Sequence, residues 1–164
     1  MPEGPAARTA DNTAHGSPLA PGPGSPNTII GWMPAWRGVM AAAAAALQAA
    51  KKIADTTVQI AESATKAAAG TPGAPAAYAA EQAAKGAVLA ALGSAITAAA
   101  AGADIHMCPV PSPVPPHGPG VVIDGSKTVT INFLPACRQG DSLLEPLGPP
   151  DKIVKGEMTV KIGG

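Results

Sequence analysis

Short runs of β-branched residues flank a long alanine-rich stretch in this chain of 164 residues. The runs cover residues 28–30, 128–132 and 159–162, and each is bounded by glycine or proline. Such runs predict short strands. The middle of the chain differs, because six consecutive alanines from Ala41 open a stretch without a helix breaker before Gly70. We therefore predict a mainly β protein with an α-helical insertion.

The insertion, residues 39–102, predicts an antiparallel helical hairpin. Its first helix has a narrow apolar stripe of Leu47, Ile53 and Ile60, helped by neighbouring alanines. Its second helix, from about 75 to 101, has an apolar face formed by Val88, Leu89, Leu92 and Ile96. The uncharged part, 86–101, is mostly alanine and shorter than the ~18–20 residues that a membrane span needs. A packed hairpin is therefore expected instead of a span.

Two long stretches of the flanks repeat each other, and a third, shorter copy follows. The copies cover residues 24–37, 125–138 and 156–163, and the signature Pro-Ala-x-Arg occurs at 5–8, 34–37 and 135–138. A repeat of this size cannot bury its apolar face alone. Three copies predict a small pseudo-threefold β-prism, with the first repeat in residues 1–38 and the second and third in 103–164.

Charge and cysteine content exclude several classes of function. The formal net charge is zero, which gives no electrostatic reason to expect nucleic acid as a partner. Two cysteines do not make a disulfide framework. The segment 1–5 has neither a basic nor an apolar signal region, so synthesis in the cytoplasm without a signal peptide is expected.

Metal-binding side chains follow an aspartate at the same offset in each repeat. Asp11 precedes His15 by four residues, Asp104 precedes Cys108, and Asp141 precedes Glu145. Threefold closure is expected to bring these second members together near one axis.

The second repeat adds His106 and His117, so all three histidines of the chain lie in turn-rich segments beside a cysteine. Three imidazoles and a thiolate form a complete tetrahedral shell for one structural zinc ion. The predicted ligands are His15, His106, Cys108 and His117. Glu145 in place of His106 is the alternative that the sequence leaves open. Cys137 occupies a position that is apolar in the other copies, which favours a buried thiol over a ligand.

The remaining polar residues of the repeats predict structural roles. Asp11, Asp104 and Asp141 are expected to accept hydrogen bonds from nearby backbone N–H groups. Arg8, Arg37 and Arg138 are expected to bond to carbonyl groups or to these aspartates. No nucleophile elbow, phosphate loop or catalytic zinc helix occurs in the sequence, so we expect no enzymatic activity.

The Pro-Ala-x-Arg signatures, together with His15-Gly16-Ser17-Pro18 and His106-Met107-Cys108-Pro109, resemble the PAAR-repeat proteins. The resemblance covers residues 1–37 and 103–164. It implies a sharp cone of short strands with zinc near the point, held by His15, His106, Cys108 and His117. This chain departs from the family pattern at Glu145, where the third repeat usually has cysteine or histidine, and in its helical insertion.

The resemblance also implies a function. Such a cone caps the blunt end of a trimeric VgrG-type spike in a contractile injection system, including type VI secretion machines, and helps to puncture the target membrane. One chain would sit on one trimer and be ejected with the particle. An effector or a chaperone is a further expected partner. The alternative is a tip adaptor whose helical hairpin is membrane-active or binds a chaperone or effector.

Overall fold

The computed structural model describes residues 3–111 and 115–164. Met1 and Pro2 of the first predicted repeat, and residues 112–114 of the second, lie outside the described residues. The chain combines short strands with two long helices, as the sequence predicts. In chain order the elements are β1 (Gly4–Ala6), β2 (Ile29–Ile30), β3 (Met33–Pro34), α1 (Ala41–Ala68), α2 (Ala74–Ala100), β4 (His106–Pro111), β5 (Pro116–Val122), β6 (Thr130–Ile131), β7 (Leu134–Pro135), β8 (Ser142–Leu144), β9 (Asp151–Lys152) and β10 (Glu157–Ile162).

A similar antiparallel pairing recurs in three two-stranded pairs, with a register shift between Pro5 and Ala6 in the third. In β2–β3 Ile30 faces Met33, in β6–β7 Ile131 faces Leu134, and in β1–β10 Ile162 faces Gly4. The third pair therefore joins the first and last strands, which are far apart in sequence. All three isoleucines are buried in one apolar cluster.

The three Pro-Ala-x-Arg segments pair with one another in a closed ring. Backbone N–H groups donate from Ala7 to Cys137, from Cys137 to Trp36, and from Trp36 to Ala7, at 2.9, 3.1 and 2.9 Å. Neighbouring residues of each segment enter different clusters: Ala6 packs with the three isoleucines, whereas Ala7, Trp36 and Cys137 pack with Leu19 on another cluster. The ring thus links two layers of core.

One arginine and one aspartate form an ion pair beside each segment. Arg8 binds Asp11 and Arg138 binds Asp141, each pair three residues apart. Arg37 binds Asp104, 67 residues further along. The helical insertion therefore lies inside the second of three otherwise matching motifs. Each aspartate also accepts a backbone N–H from its arginine, which confirms the predicted structural roles.

The two helices form an antiparallel hairpin whose outer part is held by ion pairs. Lys85 of α2 is buried and binds Glu62 of α1 at 2.8 Å and Glu81 at 2.7 Å. Nearer the strands, Leu47 of α1 packs with Leu92 and Ile96 of α2. That cluster also contains Val121, Leu134 and Leu144 of the strands, so the hairpin shares a core with the β part.

The predicted stripe on α1 is wrong in part. Ile53 and Ile60 are 71% and 67% exposed, while the buried face is formed by Ala44, Leu47 and Lys51. Alanine methyl groups let the helices approach closely, so the larger side chains are not needed between them. Within the described residues α2 is long and apolar enough to cross a membrane, but a third of its most apolar window is buried.

Candidate metal centre

Three of the strands bring the predicted ligand positions together. His106 and Cys108 lie two residues apart on β4, so both side chains point to its buried side, whereas Met107 between them is exposed. β5 carries His117 opposite this part of β4. Glu145 directly follows β8, which pairs with the other end of β5.

One group of donors combines side chains from all three repeats. Single ligand atoms of His15, Cys108, His117 and Glu145 all lie within 4.8 Å of one another. The equal offset from an aspartate predicted that His15, Cys108 and Glu145 would meet, and the structure brings them together. His117 joins them from β5.

The distances within this group suit one tetrahedral metal ion. In a tetrahedral site, Zn–S and Zn–N bonds of about 2.3 and 2.0 Å place a sulfur and a nitrogen ligand about 3.5 Å apart. Cys108 Sγ lies 3.6 Å from His15 Nδ1 and 3.7 Å from His117 Nδ1. Glu145 Oε2 lies 3.3 Å from His15 Nδ1 and 2.9 Å from His117 Nδ1. The donor set of two imidazoles, a thiolate and a carboxylate fits zinc.

His106 lies beside this group, not in it. His106 belongs to a second group of donors, with Glu145 and Asp151, whose ligand atoms also lie within 4.8 Å of one another. His106 Nδ1 lies 2.9 Å from the carbonyl oxygen of Pro18, so this nitrogen carries the proton. Nε2 then carries the lone pair, which accepts from the Ser17 hydroxyl at 3.3 Å, and it lies 3.6 Å from Glu145 Oε1. A metal-binding imidazole is commonly oriented by such a backbone bond, so His106 stays a predicted ligand alongside Glu145.

Two buried oxygens of the centre have no hydrogen-bond donor within the described residues. They are Glu145 Oε1 and Asp151 Oδ2, and both side chains are fully buried. The other oxygen of Asp151 accepts the backbone N–H of His15 at 3.0 Å. Buried carboxylate oxygens without donors are costly unless a cation or a proton meets them. This is the second observation that fits a bound cation.

Without a metal, the centre favours protonated acids. Burial and the charge of Asp151 raise the pKa of Glu145 to about 8. Burial, chiefly, raises the pKa of the Cys108 thiol to about 11. Burial lowers the pKa of His106 and His117, which keeps both imidazoles neutral at pH 7. Metal binding must therefore displace protons from the acids.

Cys137 lies where the sequence predicts it, whereas Asp151 was not predicted as part of the site. Cys137 is completely buried between Trp36 and Ala7 in the core, as predicted, and burial raises the pKa of its thiol. Asp151 was missed because it lies between the repeated copies, at the start of β9. Its only sequence signal is an acidic residue directly after a glycine- and proline-rich turn.

Comparison with known protein families finds a known motif in the part of the chain that contributes to this site. The family model of the PAAR motif matches residues 112–164, the part that contains His117, Glu145 and Asp151. No curated protein and no solved structure matches the chain. The matched motif relates the chain to the metal-binding spike-tip proteins of type VI secretion. This match over residues 112–164 supports the interpretation of the chain as a PAAR-repeat protein.

Proposed function

We propose that this chain is the zinc-stabilised tip that caps a trimeric VgrG-type spike of a contractile injection system and helps to puncture the target membrane. The proposal includes a conical, pseudo-threefold β-prism with the metal near its point. Its supports are the ring of three Pro-Ala-x-Arg segments and the similar pairing in three two-stranded pairs. One such chain matches the symmetry of a trimer.

The observation that carries the docking role is a pair of exposed aromatic side chains at matching hairpin turns. Trp32 is 98% exposed and Phe133 is 91% exposed, in a chain with very few aromatic residues. Each is the second residue of a two-residue turn between short strands. We take these two aromatic side chains as the docking face; Met158 on β10 is a further exposed apolar side chain of the β part.

The backbone conformation at these turns is energetically unfavourable for aromatic residues. Trp32 and Phe133 have φ of 69° and 66°, a left-handed conformation that favours glycine or asparagine and is unusual for a bulky residue. Strain of this kind is retained where function requires the side chain. A tip that must hold a partner explains both the strain and the exposure. Ile30, Ile131 and Ile162, by contrast, are buried and serve the core.

The metal has a structural role in this proposal, and the chain has no catalytic one. Four protein donors leave no open coordination position for a substrate. A metal that links the segments around His15, Cys108, His117 and Glu145 stiffens the structure against compression, which a puncturing tip must withstand. The chain would be made in the cytoplasm and ejected with the particle.

The test is binding to the cognate VgrG-type trimer by a Trp32→Gly, Phe133→Gly double variant. Glycine relieves the left-handed turns, so the thermal midpoint should stay equal or rise. Binding should weaken roughly 1,000-fold, because two buried aromatic anchors at about 2 kcal/mol each sum to about 4 kcal/mol. The matched control is Ile53→Ala with Ile60→Ala, which removes two other exposed apolar side chains. Unchanged binding by the glycine variant would refute the docking face.

A second candidate function rests on α2. Its length and composition suit a membrane, and much of its surface is exposed alanine. In this alternative the hairpin acts on the target membrane after delivery. Incubating the full chain with lipid vesicles and separating them by flotation tests it: co-flotation supports a membrane-active hairpin, and a chain that stays in the aqueous fraction does not.

A further inference from the structure

The loop at 146–148 covers one side of the metal centre. Gly148 packs directly on the imidazole ring of His117, and a Cβ at this position would overlap the ring. Its φ of 75° also requires glycine. The N–H of Leu147 points to the carbonyl oxygen of His117 at 3.4 Å. The position of this loop therefore fixes the orientation of a candidate ligand.

The first helix holds that loop in place. Lys51 of α1 donates from Nζ to the carbonyl oxygen of Gly148 at 3.0 Å, and it also pairs with Asp55. The Lys51 side chain is only 11% exposed, which is unusual for lysine. Because Gly148 lies between Lys51 and His117, the lysine is connected to the metal centre through a single residue.

The second helix, α2, supports the same region. A Cβ on Gly93 would be in contact with Pro119 of β5 at 3.4 Å and with Pro146 at 3.9 Å, so the helix runs close over both prolines. Leu89 packs against Gly118, the neighbour of His117. Both helices thus press on the backbone that carries or covers His117.

Lys51 also contributes to the charge balance of the metal centre. Glu145, Asp151 and a Cys108 thiolate carry three negative charges, and one divalent cation neutralises two of them. Lys51 lines the same pocket as Glu145 and so supplies a positive charge close to the centre. Asp55, the other partner of Lys51, is 45% exposed and is screened by solvent. A second divalent cation at His106, Glu145 and Asp151 would leave the region positively charged.

We propose that the helical insertion is part of the metal centre: Lys51 holds Gly148 against His117, compensates the buried charge, and so slows release of the metal. Lys51 is then a positioning residue, not a ligand. This inference rests on the metal binding in the proposed function and gives the insertion a role that does not require a membrane, a chaperone or an effector.

The test measures zinc release from the intact, zinc-loaded chain into excess chromogenic chelator. Lys51→Met should release zinc roughly 10- to 100-fold faster, the range typical for loss of a residue that supports a ligand. The matched control is Lys52→Met, since Lys52 is adjacent but exposed. Lys51→Arg keeps the charge and a donor and should restore much of the slow release.

Two further measurements separate positioning from general stability. The absorption spectrum of the cobalt-loaded chain should shift in Lys51→Met and not in Lys52→Met. Gly148→Ala leaves the Lys51–Asp55 pair in place but displaces His117, so it should also release zinc faster, and it provides the answer if Lys51→Met does not fold. Equal release rates and spectra for wild type and these variants would overturn the inference. A wild-type chain that takes up no zinc would overturn the metal site itself. Spike binding is measured in a separate assay, so failure of the docking role can be distinguished from failure of the metal site.

Discussion

Arg37 offers the sharpest test of how the insertion is built into the repeat. Its guanidinium donates from Nε to Asp104 Oδ2 at 3.0 Å, from Nη2 to Asp104 Oδ1 at 2.9 Å, and from Nη2 to the Gly24 carbonyl oxygen at 2.9 Å. The two side chains are 10% and 1% exposed. The pair lies immediately outside the two ends of the insertion and holds them together.

Arg37→Met should therefore be strongly destabilising. Methionine fills part of the space but leaves the Asp104 carboxylate buried without its partner. Removing one member of a buried ion pair costs about 3–5 kcal/mol. The free energy of unfolding of a domain is typically only about 5–15 kcal/mol, so this loss is a large fraction of the total.

Urea unfolding followed by the fluorescence of the buried Trp36 measures the effect. Lys52→Met, which removes an exposed lysine from α1, is the control and should change the free energy of unfolding by less than about 0.5 kcal/mol. Adding Asp104→Asn to Arg37→Met removes the unpaired charge and should recover part of the loss. An Arg37→Met variant that loses less than about 1 kcal/mol would refute the view that this pair holds the insertion in the motif.

Two predictions concern protons at the metal centre. At pH 7 zinc binding should release about two protons, from Cys108 and Glu145, because their pKa values of about 11 and about 8 keep both protonated without metal; calorimetry in buffers of different ionisation enthalpy counts them, and Glu145→Gln should release only one. Two protons from that variant would exclude Glu145 as the source. The metal-free chain should lose stability as pH rises from about 4.5 to about 8, because the folded state binds the Glu145 proton more tightly than the unfolded state. Thermal midpoints that rise across this window in wild type, relative to Glu145→Gln, would contradict that assignment.

The strands and the helices could be predicted because their signals are local or repeated. Alanine runs between glycine-containing turns are sufficient for α1 and α2. Copies with equal offsets identified Ile30 and Ile131 as equivalent, although not which faces were buried. The pairing of β1 with β10 joins residues that no local pattern connects.

The sequence was sufficient to predict the candidate ligands except for the choice between His106 and Glu145. His106 and Cys108 point to the same side of β4, and equal offsets placed Glu145 near them, but side-chain direction decides which atoms converge. Asp151 and Lys51 gave no usable signal. An aspartate directly after a turn and a lysine on a helix are usually solvated, and only the packing of the loop around Gly148 buries them.

The most direct test of the central claim is the metal content of the purified chain, measured by mass spectrometry under native conditions. We predict one zinc ion per chain, retained by wild type and lost in both His117→Ala and Cys108→Ser, with a lower thermal midpoint in each. A wild-type chain that carries no metal and matches the stability of these variants would contradict the account, since the tip would then depend on packing and proline alone for its rigidity.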